Sequence, residues 1–172
     1  MEGYQLKVFV QGSTEPIWRI VKVPVKMTFM DLHLTIQKIF ELSGEDTFYF
    51  ELQEIGISVI KLDITGDVSS KLKTIFCNEI IDDYFYEGMV CDYFYDLEDR
   101  WEFGIIVEKK LDDYDVVPKV TDYFGGNLLE DCGGISGYEK IINEIDDELI
   151  SFDLDYVNEC LRDFEVEQVI NN

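Results

Sequence analysis

The sequence is short of histidine, proline and basic residues, and these shortages exclude several classes of protein. It has one His, three Pro and 14 Lys and Arg in 172 residues. The four cysteines, at positions 77, 91, 132 and 160, form no C-x-x-C pair, so a typical zinc site is not expected. P-loop, G-x-G-x-x-G and G-x-S-x-G motifs are absent. We therefore predict no metal ligand, no cofactor and no catalytic residue.

Long apolar runs are missing as well. No stretch reaches the roughly 20 apolar residues of a membrane-spanning helix, and the first ten residues alternate like a strand instead of forming a signal peptide. Free, mostly buried cysteines are typical of a reducing compartment. The sequence predicts a cytoplasmic protein without a membrane segment.

Acidic residues are in large excess. The chain has 37 Asp and Glu against 14 Lys and Arg, a formal charge of −23. This charge repels nucleic acid phosphates and anionic membranes, so direct DNA or RNA binding is disfavoured. A basic protein is the partner that such a surface favours. Apolar residues make up 47% of the chain, which distinguishes it from acidic disordered segments and predicts a folded core.

Hydrophobic periodicity predicts an α+β fold in a single domain, 1–172. Residues 4–10 and 17–23 alternate as a hairpin, and Thr28 with Asp31 forms a variant capping box before an apolar helical face. Residues 47–54 and 57–62 have the pattern of two more strands. This order of strand, strand, helix, strand, strand indicates a ubiquitin-like, or β-grasp-like, N-terminal half of about 1–65.

The second half, about 66–172, is predicted to contain a helix, a strand pair and C-terminal helices. The helix opens at Ser69 and Ser70 and continues to Ile80. Strands at 89–95 and 101–109 flank an acidic turn at 96–99, and Pro and Gly make 111–129 irregular. The last helices are expected at 136–149 and from Ser151 or Asp153 onward.

Three features allow two interpretations each. His33 lies on the apolar helix face, and we expect a hydrogen-bonded core histidine rather than a general base. Gly133 and Gly134 fit a phosphate-binding nest or, preferably, a turn that needs positive φ. Tyrosines interleaved with carboxylates imitate a phosphate backbone toward a basic partner, but a strand with aromatic residues inside and acidic residues outside gives the same pattern and is preferred.

Five segments together resemble a known family. They are EPIWRI at 15–20, TFMDLH at 28–33, YFYDLEDRW at 93–101, EDCGGISGYE at 130–139 and FDLDYVN at 152–158. In order and spacing they are similar to the plasmid pRiA ORF-three-like family, whose members also occur as passenger proteins on insertion elements. The resemblance covers about residues 4–162. It implies an α+β fold with a ubiquitin-like element and no established activity.

The chain departs from the family pattern where relatives commonly have His and Cys. Relatives carry H-x-H-x-F where this chain has DTFYF at 46–50, and Phe103 stands where Y-D-F-G-D-x-W-x-H ends in His. Further cysteines before E-D-C-G-G are absent from 120–129. If those residues form a metal or catalytic site in relatives, this chain has lost most of it.

The resemblance leads to a set of candidate residues. The candidate binding cleft consists of Asp96, Asp99, Trp101, Asp131, Cys132, Gly133, Gly134 and Tyr138. Pro16, Trp18, Arg19 and His33 are interpreted as structural: the strand Trp packs into the core, and Arg19 pairs with a carboxylate such as Asp31.

Three functional hypotheses remain open. The first is a non-catalytic binding or interaction module of plasmid or mobile-element biology, acting on a basic protein. The second is an enzyme or metal-dependent protein that uses the residual Asp96, Asp99, Asp131, Cys132 and His33. The third is a degenerate paralogue with a structural role only.

Overall fold

The strands follow the alternation of apolar residues in the sequence. The computed structural model describes residues 1–61 and 71–163. The strands are β1 Gly3–Val10, β2 Trp18–Pro24, β3 Phe48–Leu52, β4 Ile57–Ile60, β5 Lys73–Phe76, β6 Val90–Tyr95, β7 Trp101–Leu111 and β8 Lys119–Phe124. The helices are α1 Phe29–Ile39, α2 Gly134–Ile141, α3 Asp147–Ile150 and α4 Leu154–Arg162. No helix in the described ranges is long and apolar enough to cross a membrane.

Within these ranges the strands form one sheet in the order β5-β4-β3-β6-β7-β1-β2-β8. Every neighbouring pair is antiparallel except β4 and β5. The α+β class is thereby confirmed. The ubiquitin-like element is not confirmed, because β6 and β7 lie between the two N-terminal hairpins. The long strand β7 takes the place beside β1, from the Gly3↔Leu111 pair to the Val10↔Phe103 pair.

Helix α1 covers the face of the sheet that we call the inner face. Thr28 caps it, because the Thr28 Oγ1 accepts a hydrogen bond from the Asp31 N–H while the Asp31 carboxylate accepts one from the Thr28 N–H. The ring of Phe29 then packs 5.4 Å from that of Phe50 on β3, and Phe40 packs 5.1 Å from Phe103 on β7. Each fully buried apolar side chain of this kind stabilises the fold by about 1.5–3 kcal/mol.

Three predictions about the second half were wrong. Residues 73–76 form β5 and not a helix: the N–H of Lys73 donates to Gly56 O and that of Cys77 to Ile60 O, each at 2.9 Å. Ser69 and Ser70 lie outside the described residues. The stretch predicted to be irregular contains β8, and the helix predicted at 136–149 is divided into α2 and α3.

Helix α4 begins as predicted and protects the edge strand β8. Asp153 is its N-cap and accepts a hydrogen bond from the Tyr156 N–H at 3.0 Å. One turn later, the amide side chain of Asn158 pairs with the backbone of Val120 on β8. Its Oδ1 accepts from the Val120 N–H at 2.8 Å, and its Nδ2 donates to the Val120 carbonyl at 2.9 Å. The side chain thus occupies both main-chain groups of this residue at the edge.

Candidate functional site

The residues of the predicted cleft come together, but they form a packed contact between the β6–β7 turn and the start of α2. We call this contact the joint. Asp96 follows β6 with φ of 59° and is nearly buried. Its Oδ1 accepts hydrogen bonds from the N–H groups of Glu98 at 2.9 Å and Asp99 at 3.2 Å. The Arg100 N–H donates to the Asp96 carbonyl at 2.7 Å. Asp96 therefore holds the β6–β7 turn in shape.

The start of α2 docks on this turn through two glycines. The Gly133 N–H donates to the Asp99 carboxylate at 2.9 Å. A Cβ on Gly134 would lie 2.1 Å from the Asp99 carbonyl oxygen, so only glycine fits. Gly133 and Gly134 have φ of 91° and 64°, which agrees with the preferred interpretation of a turn that needs positive φ.

Trp101 and Tyr138 form the wall behind the joint. Both are almost fully buried, and their rings meet edge to face at 6.3 Å. The Tyr138 hydroxyl donates to the Asn127 carbonyl at 3.0 Å, whereas Trp101 Nε1 has no hydrogen-bond partner in the described chain. Both rings are therefore packing residues of the joint, and Tyr138 also lines a groove beside α2.

The thiol of Cys132 is not activated. It is half-buried and donates to the Gly134 carbonyl at 3.5 Å. Burial raises its pKa above the ordinary value of 9.0, and the carboxylates of Asp99 and Glu130 add to this. The thiol is protonated near neutral pH, whereas a nucleophilic cysteine needs a lowered pKa. Asp131, next to it, is exposed with φ of 53°.

His33 is a core histidine, as predicted. Its ring stacks on Phe48 with centroids 3.6 Å apart, and its Nδ1 is 2.7 Å from the Tyr93 hydroxyl. Gln37 Nε2 donates to the same hydroxyl at 2.9 Å, and Gln37 Oε1 accepts from the Gly44 N–H at 3.0 Å. Burial lowers the pKa of His33 to about 4. It is therefore neutral at physiological pH and serves as a hydrogen-bonded packing residue.

The prediction that Arg19 pairs with Asp31 was wrong. The fully buried guanidinium instead donates to five backbone carbonyls at 2.7–3.1 Å, those of Trp18, Ile39, Phe124, Gly125 and Gly126. It also lies 4.0 Å from the Phe152 ring centroid. Burial lowers the pKa of Arg19 to about 10, so it remains charged. Asp31 is engaged in capping α1.

Three carboxylates that the candidate list only partly contained lie close together. Asp46, Asp96 and Glu130 offer oxygens within 4.8 Å of one another, and the Tyr95 hydroxyl donates to Glu130 at 3.1 Å. Burial, and then the neighbouring carboxylates, raises the pKa of Asp46. Such oxygens suit a hard divalent cation, but exposed acidic groups are common without one. The cluster alone does not define a metal site.

The face of the sheet opposite α1, the outer face, has a different composition. All its apolar and charged side chains are half-buried or exposed. In the described strands the half-buried or exposed apolar ones include Phe9, Trp18, Ile20, Tyr49, Ile60, Phe76, Val90, Phe94, Ile106 and Phe124, the carboxylates are Glu51, Asp92, Glu102, Glu108 and Asp122, and the cations are Lys7, Lys22, Lys109 and Lys119. Carboxylates and lysines of the described strands therefore surround a set of accessible aromatic rings.

Three of these rings form a row across neighbouring strands, which we call the aromatic strip: Phe9, Trp18 and Phe124. Phe9 is in register with Trp18, and Trp18 with Phe124. The rings of Trp18 and Phe124 stack at 6.4 Å. Gly104 lies beneath Phe9, whose ring atoms would be 2.1 Å from a Cβ at that position. Trp18 thus belongs to the outer face, and the prediction that it packs into the core was wrong.

A cation already rests on this strip. The Lys7 ammonium lies 4.9 Å from the centroid of the Trp18 ring. Such contacts are attractive because the face of an indole ring is electronegative. The strip therefore presents a ring face that accepts a positive charge.

A family model described as plasmid pRiA4b ORF-3-like protein matches residues 2–170. The chain belongs to this family. The family assignment covers both the joint of the β6–β7 turn with α2 and the aromatic strip.

The solved structure of a similar protein has the same fold. The crystal structure of a protein of unknown function, MM3350 from Methanosarcina mazei Go1, superposes with a TM-score of 0.72 at 26% identity. The match covers 96% of this chain and 92% of that chain. No curated protein matches the sequence. The pRiA4b ORF-3-like family is thus established, while no activity comes with it.

At the positions where the family resemblance implies His, this chain has aromatic packing residues or a carboxylate. Phe48 stacks on His33, and Phe103 packs 5.4 Å from Tyr93. Asp46, at the first of these positions, joins the carboxylate cluster. The sequence comparison could have pointed to Asp46 and Glu130, because both stand in family motifs. The aromatic strip had no such signal, since its rings come from three separate strands.

Proposed function

We propose that this protein is a non-catalytic interaction module that binds a basic polypeptide on the outer face of its sheet. The partner supplies Lys or Arg side chains to the aromatic strip and to the carboxylates around it. Because the family description refers to a plasmid reading frame, we place this partner in plasmid or mobile-element biology.

The contact between Lys7 and Trp18 carries the proposal. It is an intramolecular example of the interaction that the partner would make: an ammonium group on the indole face. Trp18 is only half-buried, and Phe124 has an exposed fraction of 51%. Contiguous accessible apolar groups rimmed by polar ones are typical of interaction sites. The formal charge of −23 attracts a basic partner from a distance.

The enzymatic and metal-dependent alternative has weaker support. Its two reactive groups are a protonated thiol at Cys132 and a neutral buried imidazole at His33. A cysteine nucleophile is activated by a lowered pKa or an adjacent base. Within the described ranges His33 bonds to Tyr93 and Cys132 to Gly134, so neither group activates the other.

Binding of a short labelled peptide of Lys, Arg and Gly, followed by fluorescence anisotropy, tests the proposal. We expect binding at low ionic strength that weakens as salt is added. Trp18→Ala is expected to reduce affinity about fivefold, the effect of roughly 1 kcal/mol of cation–π attraction. The matched control is Tyr156→Ala, which removes an exposed ring on α4, outside the aromatic strip.

Two results would contradict the proposal. If no basic peptide binds at low ionic strength, the protein is not a module of this kind. If Trp18→Ala and Tyr156→Ala bind the peptide equally well, the attraction is a general charge effect and the outer face is not the site.

A further inference from the structure

We propose that a groove at the end of the aromatic strip receives one large apolar side chain of the bound segment, so that the partner is a basic sequence with an apolar anchor. This rests on the proposed function and specifies the ligand more narrowly. The groove has a volume of about 600 Å³ and lies between the β1–β2 hairpin, the end of β8 and helix α2.

Part of the groove wall is apolar. Pro16 and Ile17 form the side toward the hairpin, Ile142 the side toward α2, and Phe124 the side toward the strip. Phe124 belongs to both features, because its ring also stacks on Trp18. Phe124 therefore connects the aromatic strip with the groove.

The backbone carbonyls at the end of β8 are already bonded, so they attract no polar ligand. The carbonyls of Phe124, Gly125 and Gly126 are already bonded to the Arg19 guanidinium. Two of these residues are glycines, which add no side chain to the groove. A Cβ on Gly125 would lie 2.9 Å from the Pro16 carbonyl oxygen. The close contact at Gly125 joins the end of β8 tightly to the hairpin, and the bonded carbonyls offer little to a polar ligand.

The rim of the groove has the charge that suits basic flanking residues. Glu15 and Glu139 both line it, and the Glu139 carboxylate accepts a hydrogen bond from the Thr14 N–H. Since no lysine or arginine among the described residues lines this groove, the charge complementarity favours a basic segment over an acidic or neutral one. The apolar part of the wall favours a large apolar anchor side chain, and the acidic rim favours basic residues on either side of it.

Two peptide pools of equal charge test this inference. One contains Lys, Arg, Gly and Ser, and the other has a Leu or Phe at a fixed central position. We expect the anchored pool to bind about tenfold more tightly, because one large apolar side chain leaves water. Ile142→Ser should abolish that preference, whereas the charge-neutral control Leu149→Ser, at a residue 64% exposed on α3, should keep it. Thermal unfolding verifies that both variants are folded.

The outcomes separate the two proposals. Equal binding of both pools overturns the groove as an anchor site but leaves the basic-partner function standing. A preference that survives in folded Ile142→Ser also overturns it. If neither pool binds, the proposed function fails, and the groove inference fails with it. If Ile142→Ser does not fold, Pro16→Ser gives the same comparison at an exposed position of the opposite wall.

Discussion

On the inner face of the sheet, Phe48, Tyr93 and Phe103 are almost fully buried and contact one another or α1. On the outer face, Trp18 and Phe124 also stack, yet both rings remain accessible. The inner rings contribute to stability through burial, which scales with the area removed from water. The outer rings bury less of their surface area on folding. Their free area is available to a partner, and this difference distinguishes packing residues from candidate binding residues on one sheet.

The largest expected effect on the inner side is that of Arg19→Ala. The substitution leaves five buried carbonyls without their donor, and we expect a loss of about 3–5 kcal/mol in the free energy of unfolding. Arg19→Lys keeps the charge but not the planar fork and should fall in between. Urea unfolding measures both, with exposed Arg162→Ala as the control. A loss below about 1 kcal/mol for Arg19→Ala would show that the bonds matter little.

His33 gives the inner face a pH dependence. Its pKa is about 4 in the folded protein and 6.5 in the unfolded chain. The unfolded chain therefore binds a proton first, and stability falls as pH drops from about 6.5 toward 4. We expect this residue to account for a loss of about 2 kcal/mol between pH 7.5 and pH 5. The measurement compares urea unfolding of the wild type and His33→Gln at both pH values. A His33→Gln variant with an unchanged slope would refute this assignment.

The smallest effect on stability is expected on the outer face. Phe124→Ala removes an exposed ring and one stacking contact, so we expect a loss of about 1 kcal/mol or less. Its inner counterpart Phe103→Ala should lose about 3–5 kcal/mol. Thermal and urea unfolding of the pair measure the contrast. Comparable losses would mean that the outer ring is a packing residue, and the distinction between the two faces would disappear.

Much of the fold followed from local patterns. Residues of β1, β2, β6 and β7 alternate clearly, and Thr28 with Asp31 marks the start of α1, so these elements were predicted close to their bounds. β5 was missed because a short apolar run has no reliable period and its strand character comes from pairing with β4. The interleaved tyrosines were predicted correctly in part: Tyr93 and Tyr95 point inward.

The candidate site was harder to predict, because its parts are distant in sequence. The joint of Asp96, Asp99, Gly133 and Gly134 was recognised as a unit through family motifs, but the hydrogen bonds and close contacts that pack it appear only in the structure. Arg19 was assigned a carboxylate partner because backbone carbonyls have no signature in a sequence. The aromatic strip depends on the order β7-β1-β2-β8, and no local pattern predicts which strands become neighbours.

The amide of Asn158 has a consequence for any guest at the β8 edge. A guest strand cannot extend the sheet at Val120 while one side chain satisfies both of its main-chain groups. A segment bound at this position must therefore be recognised through its side chains and not through main-chain hydrogen bonds. Recognition at this position does not depend on chain direction, and Asn158 likewise prevents a second copy from pairing with the Val120 backbone.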